Sequence, residues 1–151
     1  MQVNSAAIIA VAIGGWLVIW ISVCWLIGLP WRRLAQQFPA SDDFDGEALR
    51  FRTGKFNWVS YGSCLTLTAG YRYLHLSVFF PFRVGHPRVS IPWAEIRATV
   101  PSGRRRSWVE LGFQNLREVN LFLPARTAED LVQMSSGRLR IERPDNNGSN
   151  N

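Results

Sequence analysis

At 151 residues the chain has the length of one domain, and it carries 17 Lys+Arg against 11 Asp+Glu, a net charge of +6. None of those charges falls within residues 6–29, so the whole positive excess sits on the remainder, which is long enough for one modest core. The two cysteines, Cys24 in the apolar run and Cys64 in a predicted strand, are badly placed to meet, which disfavours a disulfide-stapled exported domain.

Residues 6–29 (AAIIAVAIGGWLVIWISVCWLIGL) hold no charge. At about 1.5 Å rise per residue such a run spans roughly 36 Å, more than a ~30 Å hydrocarbon core requires. A cleaved signal peptide would have a basic start, a shorter apolar core and a small-residue cleavage site, whereas Met1 to Ser5 carry no side-chain charge and bulky Leu29, Pro30 and Trp31 follow the run. Val23, before Cys24, is not the small residue that a lipoprotein site wants. Residues 1–30 are therefore expected to be a retained single-pass transmembrane anchor. Arg32 and Arg33 follow the run and no Lys or Arg precedes it, so the positive-inside rule predicts an outside N-terminus and a cytoplasmic C-terminal part.

Within the run, Ala6, Ala10, Gly14 and Ser22 fall on one four-residue stripe, a candidate surface for packing against another helix. Trp16 and Trp20 share a face near mid-span, where they either meet another protein or a pigment-like ligand or present two large apolar groups to lipid; Trp25 and Trp31 stand where interfacial tryptophans belong.

Residues 31–47 divide into two pieces. Residues 31–40 read as a juxtamembrane amphipathic helix, with Trp31, Leu34 and Phe38 on one face, lying along the headgroups. Residues 41–47 (SDDFDGE) read as an acidic, turn-rich linker.

From residue 48 the apolar period becomes two, through Leu49 and Phe51, Leu65 and Leu67, Leu74 to Val78, Val89 and Ile91, and Ile96 to Val100. Two further runs, 107–113 and 118–123, flank a turn and predict a hairpin. Seven short strands with short connections predict an antiparallel meander. A helix is predicted over 125–136, with Thr127 as N-cap and Gly137 as stop, and closes a β domain of residues 48–143. Residues 144–151 (PDNNGSNN) offer nothing to bury and read as a disordered tail.

Leu65-Thr66-Leu67-Thr68, Tyr73-Leu74-His75-Leu76-Ser77 and then Ile91-Pro92-Trp93-Ala94-Glu95-Ile96 resemble a strand pair and an IPW-x-EI segment of bacterial PH-like domains, and of a set of small bacterial membrane proteins. The resemblance covers residues 48–137. It implies a mainly β (α+β) fold, a seven-stranded antiparallel PH-like barrel with one C-terminal helix plugging an open corner, carried behind the transmembrane helix of a bacterial inner (cell) membrane protein. It supplies no ligand residues, because PH-like barrels serve as lipid binders, peptide binders and scaffolds alike. Pro92, which lacks an N–H, predicts the end or a bulge of its strand, with Trp93 packed inward.

Chemistry finds little purchase. His75 alternates with Leu74 and Leu76, and His86 lies in a Gly-His-Pro turn; neither has a partner at metal-ligand spacing, and both read as ordinary surface or edge histidines. No nucleophile motif or phosphate loop is present outside the apolar run. No catalytic, cofactor or metal residues are assigned, and an anchored chain without a basic stripe interleaved with aromatics is a poor nucleic-acid binder.

Two loops carry contact chemistry. Arg104, Arg105 and Arg106 sit at a predicted hairpin tip that either reaches anionic headgroups or is simply solvated. The loop from Phe79 to Pro87 holds Phe80, Phe82 and Arg83; projecting, it would dip into lipid or grip a partner, and folded back it would lid the core. With Arg32 and Arg33, these are the candidate contact residues. The expectation is a non-enzymatic membrane protein whose domain touches lipid bilayer, anionic headgroups or another membrane protein, or alternatively an accessory structural subunit of a larger integral membrane complex.

Overall fold

A computed structural model describes residues 5–43, 45–80, 82–101 and 107–143. The predicted tail and the Arg104 to Arg106 tip lie outside the described residues.

Helix α1 (Ser5–Ile27) is apolar all round, and of its residues Cys24 alone is buried. It is long and apolar enough to cross a membrane. Helix α2 (Leu29–Gln37) follows at once, the Gly28 N–H still bonding back to Cys24 and the Arg32 N–H to Gly28. Pro30 costs nothing there, because the first turn of a helix needs no donor.

The amphipathic stripe of α2 is real, but its partner is the sheet and not the headgroups. Trp31 and Leu34 are 0% exposed and Phe38 is 7% exposed, all within the main core cluster. Trp31 sets its ring against Phe56 and Tyr61 and donates its indole N–H to the Pro87 carbonyl, so it is a core residue and not an interfacial anchor.

Eight strands follow: β1 (Glu47–Phe56), β2 (Val59–Ala69), β3 (Tyr73–Val78), β4 (Val89–Pro92), β5 (Ile96–Thr99), β6 (Trp108–Phe113), β7 (Asn120–Pro124) and β8 (Ile141–Glu142). They form one curled open sheet in the order β4-β3-β2-β1-β7-β6-β5-β8. Seven strands were expected, all antiparallel; the eighth is a two-residue strand that returns after the last helix and pairs parallel to β5. Two residues carry no alternation from which to read a strand.

The sheet curls at two places where the backbone turns left-handed on non-glycine residues, Phe51 (φ 55) on β1 and Ser63 (φ 52) on β2. The β1–β2 register slips between Leu49 and Arg52 and again before Gly54, as bulges do. One consequence corrects the simple alternation: Leu49 still packs on the core, but Phe51 is thrown outward.

β4 ends at Pro92, and Trp93 opens a short 3-10 turn, buried, with its indole N–H on the Gly70 carbonyl. Helix α3 (Ala125–Met134) covers β7, β1, β2 and β6 through Ala128 and Leu131. Its N-cap is Pro124, not Thr127, which is buried one turn in; the Ser107 carbonyl across β6 receives the first N–H instead. Gly137 (φ +81) follows Ser136 (φ 52), completing the expected left-handed stop.

Candidate functional site

Of the residues that the sequence singles out, Trp20, Arg32, Phe80, Phe82 and Arg83 come together at the junction between α1 and the β3–β4 connection. The last turn of α1 lies against Gly85 with no side chain between them. A Cβ on Gly28 would stand 2.6 Å from the Gly85 carbonyl oxygen, and one on Gly85 (φ +78) would press on the Cys24 carbonyl and the Trp25 Cα. Both glycines are therefore fixed by geometry, one by close approach and one by backbone angle as well. Cys24 is buried beneath this contact.

Arg32 fastens the same corner from α2. Its Nη2 donates to the Trp25 carbonyl at 2.7 Å, and its guanidinium lies 4.0 Å from the centre of the Trp25 ring. Its Nε is buried without a hydrogen-bond partner among the described residues.

The connection is held from below by a buried polar pair. His86 is 3% exposed and Tyr61 is buried beside it, with the Tyr61 hydroxyl 2.8 Å from Nε2 of His86. Nδ1 lies 3.0 Å from the Val84 carbonyl, which can only accept, so Nδ1 carries the proton and Nε2 accepts from Tyr61. Burial pushes the His86 pKa below its ordinary value, opposed by its backbone hydrogen bonds and helped by nearby Arg32. Burial likewise pushes the Tyr61 phenol up. His75 is buried too, its Nδ1 2.8 Å from Ser90 Oγ, and burial lowers its pKa. Neither histidine is the surface residue that its setting in the sequence suggests.

Above this anchor point the loop is apolar and open. Phe79, Phe80, Phe82 and Val84 are exposed, Phe80 at 72%. Both alternatives for the loop are partly realised: its His86 end is folded into the core and its phenylalanines project. Trp16 and Trp20 stack with centroids 5.7 Å apart, Trp20 meets Phe82 at 5.5 Å, the Phe82 N–H bonds the Phe79 carbonyl, and Phe79 meets bulged Phe51 at 5.4 Å. Two aromatic pairings, one on α1 and one on the sheet, are thus joined through the backbone of the loop. Trp20, paired here within the chain, needs no outside partner to explain it.

The remaining candidates are dispersed. Arg83 is exposed within the loop. Arg33 points to Glu118 at 3.1 Å, both largely exposed, an ion pair worth little to stability. Ala6, Ala10, Gly14 and Ser22 are exposed along α1, with Ser22 bonding back to the Val18 carbonyl. At 100° per residue Gly14 lies about 200° from Trp16, so the middle of the small-residue stripe is turned from the loop, whereas Ala6 comes round to within about 40° of Trp20. The sequence reading missed Gly28, Gly85 and Tyr61; the only signal was a glycine at the end of an apolar run and another in a turn.

The arrangement can hold a β domain against the end of α1 in one pose, with an apolar rim and basic side chains at the seam. Among the described residues no group of three His, Cys, Asp or Glu could hold a metal ion. The sequence matches no protein-family model, and no curated protein matches it.

Proposed function

We propose that the chain is a non-enzymatic single-pass protein of a bacterial inner membrane, with α1 as the span and a PH-like domain on the cytoplasmic side that makes protein or anionic-headgroup contacts at the membrane surface. The observation that carries this reading is the Gly28–Gly85 contact, because a domain clamped to the last turn of an apolar helix presents one fixed face to whatever surrounds that helix. The face so presented is the rim of Phe79, Phe80, Phe82 and Val84, an exposed apolar patch of the kind that marks a contact surface. Arg32 beside the end of α1 and Arg83 within the loop would meet headgroups.

The test is depth. A spin label on Phe80→Cys in the full chain, reconstituted in vesicles with Cys24 and Cys64 replaced by alanine, should be reached by oxygen dissolved in the bilayer. A label on Tyr71→Cys, equally exposed in the β2–β3 turn at the opposite end of β3 from the loop, should be reached by aqueous nickel instead. If both labels prove equally water-accessible, the loop does not touch the membrane and the reading fails.

A second reading, an accessory subunit of a larger membrane complex, draws on the open side of α1. Gly14 and Gly15 have nothing within 4 Å, on the face turned from the loop, so another helix could approach the backbone there. Mild-detergent extraction and sizing decides it: a lone particle of this chain's 17.2 kDa plus its micelle removes the subunit.

A further inference from the structure

Beside the α1 junction, on the flank of α2 next to its core stripe, lies an open hollow of about 390 Å³. Arg32, Ala35 and Gln36 line it from one face of α2, and Pro39, Pro87 and Arg88 from the segments leading out of α2 and into β4. Its two walls are tied together: Pro39 bridges Val89, the Ser90 N–H bonds the Phe38 carbonyl, and the Ser41 N–H bonds Ser90 Oγ. The Trp31 indole N–H on the Pro87 carbonyl fixes the wall that carries Arg88. The hollow is therefore built, with an apolar floor of alanine and proline and an arginine residue on each wall.

We propose that this cavity seats the phosphodiester headgroup of an anionic membrane lipid, with Arg32 and Arg88 as its two cationic contacts. The inference rests on the membrane reading above and deepens it by naming the ligand. Depth argues for a lipid, because Arg32 reaches back to the Trp25 carbonyl and stacks on its ring, which puts the cavity mouth level with the last turn of α1. That is where a span ending at Ile27 leaves the hydrocarbon and meets phosphate. Charge argues for an anion: among the described residues two arginines and no acidic side chain line the hollow, and Arg32 Nε is a buried donor without an acceptor there. The apolar floor argues against a bare soluble anion and suits the glycerol and first acyl carbons that come with a headgroup.

The experiment uses the full chain in a neutral detergent, with bound lipid counted by native mass spectrometry. Dioctanoyl phosphatidylglycerol should be retained and dioctanoyl phosphatidylcholine released. Arg88→Gln, at an exposed position, and Gln36→Glu, which sets a like charge beside the headgroup, should each weaken retention about fivefold. Gln36→Glu stands as the decisive variant should Arg88→Gln lower the melting temperature. Equal retention of the two lipids, or unchanged retention in a folded Gln36→Glu, overturns the proposal. Displacement of the lipid by equimolar glycerol 3-phosphate would reassign the site to a free phosphate and overturn it as well. Alkaline carbonate extraction of the same variants separates the two readings: a wild type released from membranes defeats the anchor, whereas a retained variant with unaltered lipid selectivity defeats the cavity alone.

Discussion

Helices α1 and α2 are neighbours joined through Gly28, yet they solve opposite problems. α1 is apolar on every side and buries only Cys24; the described residues meet it at its last turn and at Trp20 and leave the rest uncovered. α2 is apolar on one stripe and buries that stripe completely, Trp31 and Leu34 having no exposure at all. The difference teaches that hydrophobic amount and hydrophobic direction carry separate information: the first says how much surface must leave water, the second says whether the chain itself can receive it.

The comparison predicts its own largest break. Trp31→Ala should cost the domain about 3–5 kcal/mol, since it empties a filled core position, whereas Trp16→Ala should leave the urea midpoint of the sheet where it was. Equal midpoints for the two variants in the same detergent would show that α2 is no more part of the core than α1.

This is also where the sequence was least able to distinguish. The stripe of Trp31, Leu34 and Phe38 is plain in the sequence, but the same stripe serves a headgroup layer and an open sheet equally well. Strands with true alternation, such as those around Leu74 and Leu111, were legible, as was the close of α3 at Gly137. The junction was not, because Gly28 and Gly85 are far apart in sequence and a glycine announces freedom without naming what approaches it. His86 was misread for a similar reason: Gly-His-Pro describes a turn, and nothing local says that the turn is pressed onto Tyr61.

The next effect concerns the hinge between the two helices. Gly28→Val puts a side chain where the Gly85 carbonyl stands, which should cost about 1–3 kcal/mol and loosen the β3–β4 connection. Limited trypsin digestion should then cut after Arg83 faster than in the wild type, with the core strands still protected.

Acidification probes the α2 side of the comparison more gently. The folded state holds His86 and His75 with pKa values lowered from the ordinary 6.5, so just below that pH the unfolded chain binds more protons than the folded one. Stability contributed by the neutral rings is complete above 6.5 and drains away as pH falls toward the lowered values. Melting temperature should drop between neutral and mildly acidic pH, and His86→Gln should flatten that drop. A wild-type profile without slope in that window would mean that the rings are not held neutral.

The smallest expected effect lies on the α1 side. Phe82→Ala removes one aromatic partner of Trp20, a contact worth about 0.5–1.5 kcal/mol beyond its area, and should alter tryptophan emission without moving the urea midpoint. A fall in the midpoint as large as that of Trp31→Ala would place the Trp20–Phe82 pairing inside the cooperative core.

The order of the sheet leaves two flanks, β4 and the far side of β5, and the chain spends its own ends on both. At β4 the exit from α2 crosses over through the Pro39–Val89 bridge; at β5 the returning Ile141–Glu142 pair lies alongside, with the Val100 N–H on the Glu142 carbonyl. An uncovered strand is a template for pairing with another copy. The two short straps thus act as bumpers, and removing residues 141–151, which leaves core Leu139 in place, should make the protein self-associate through β5.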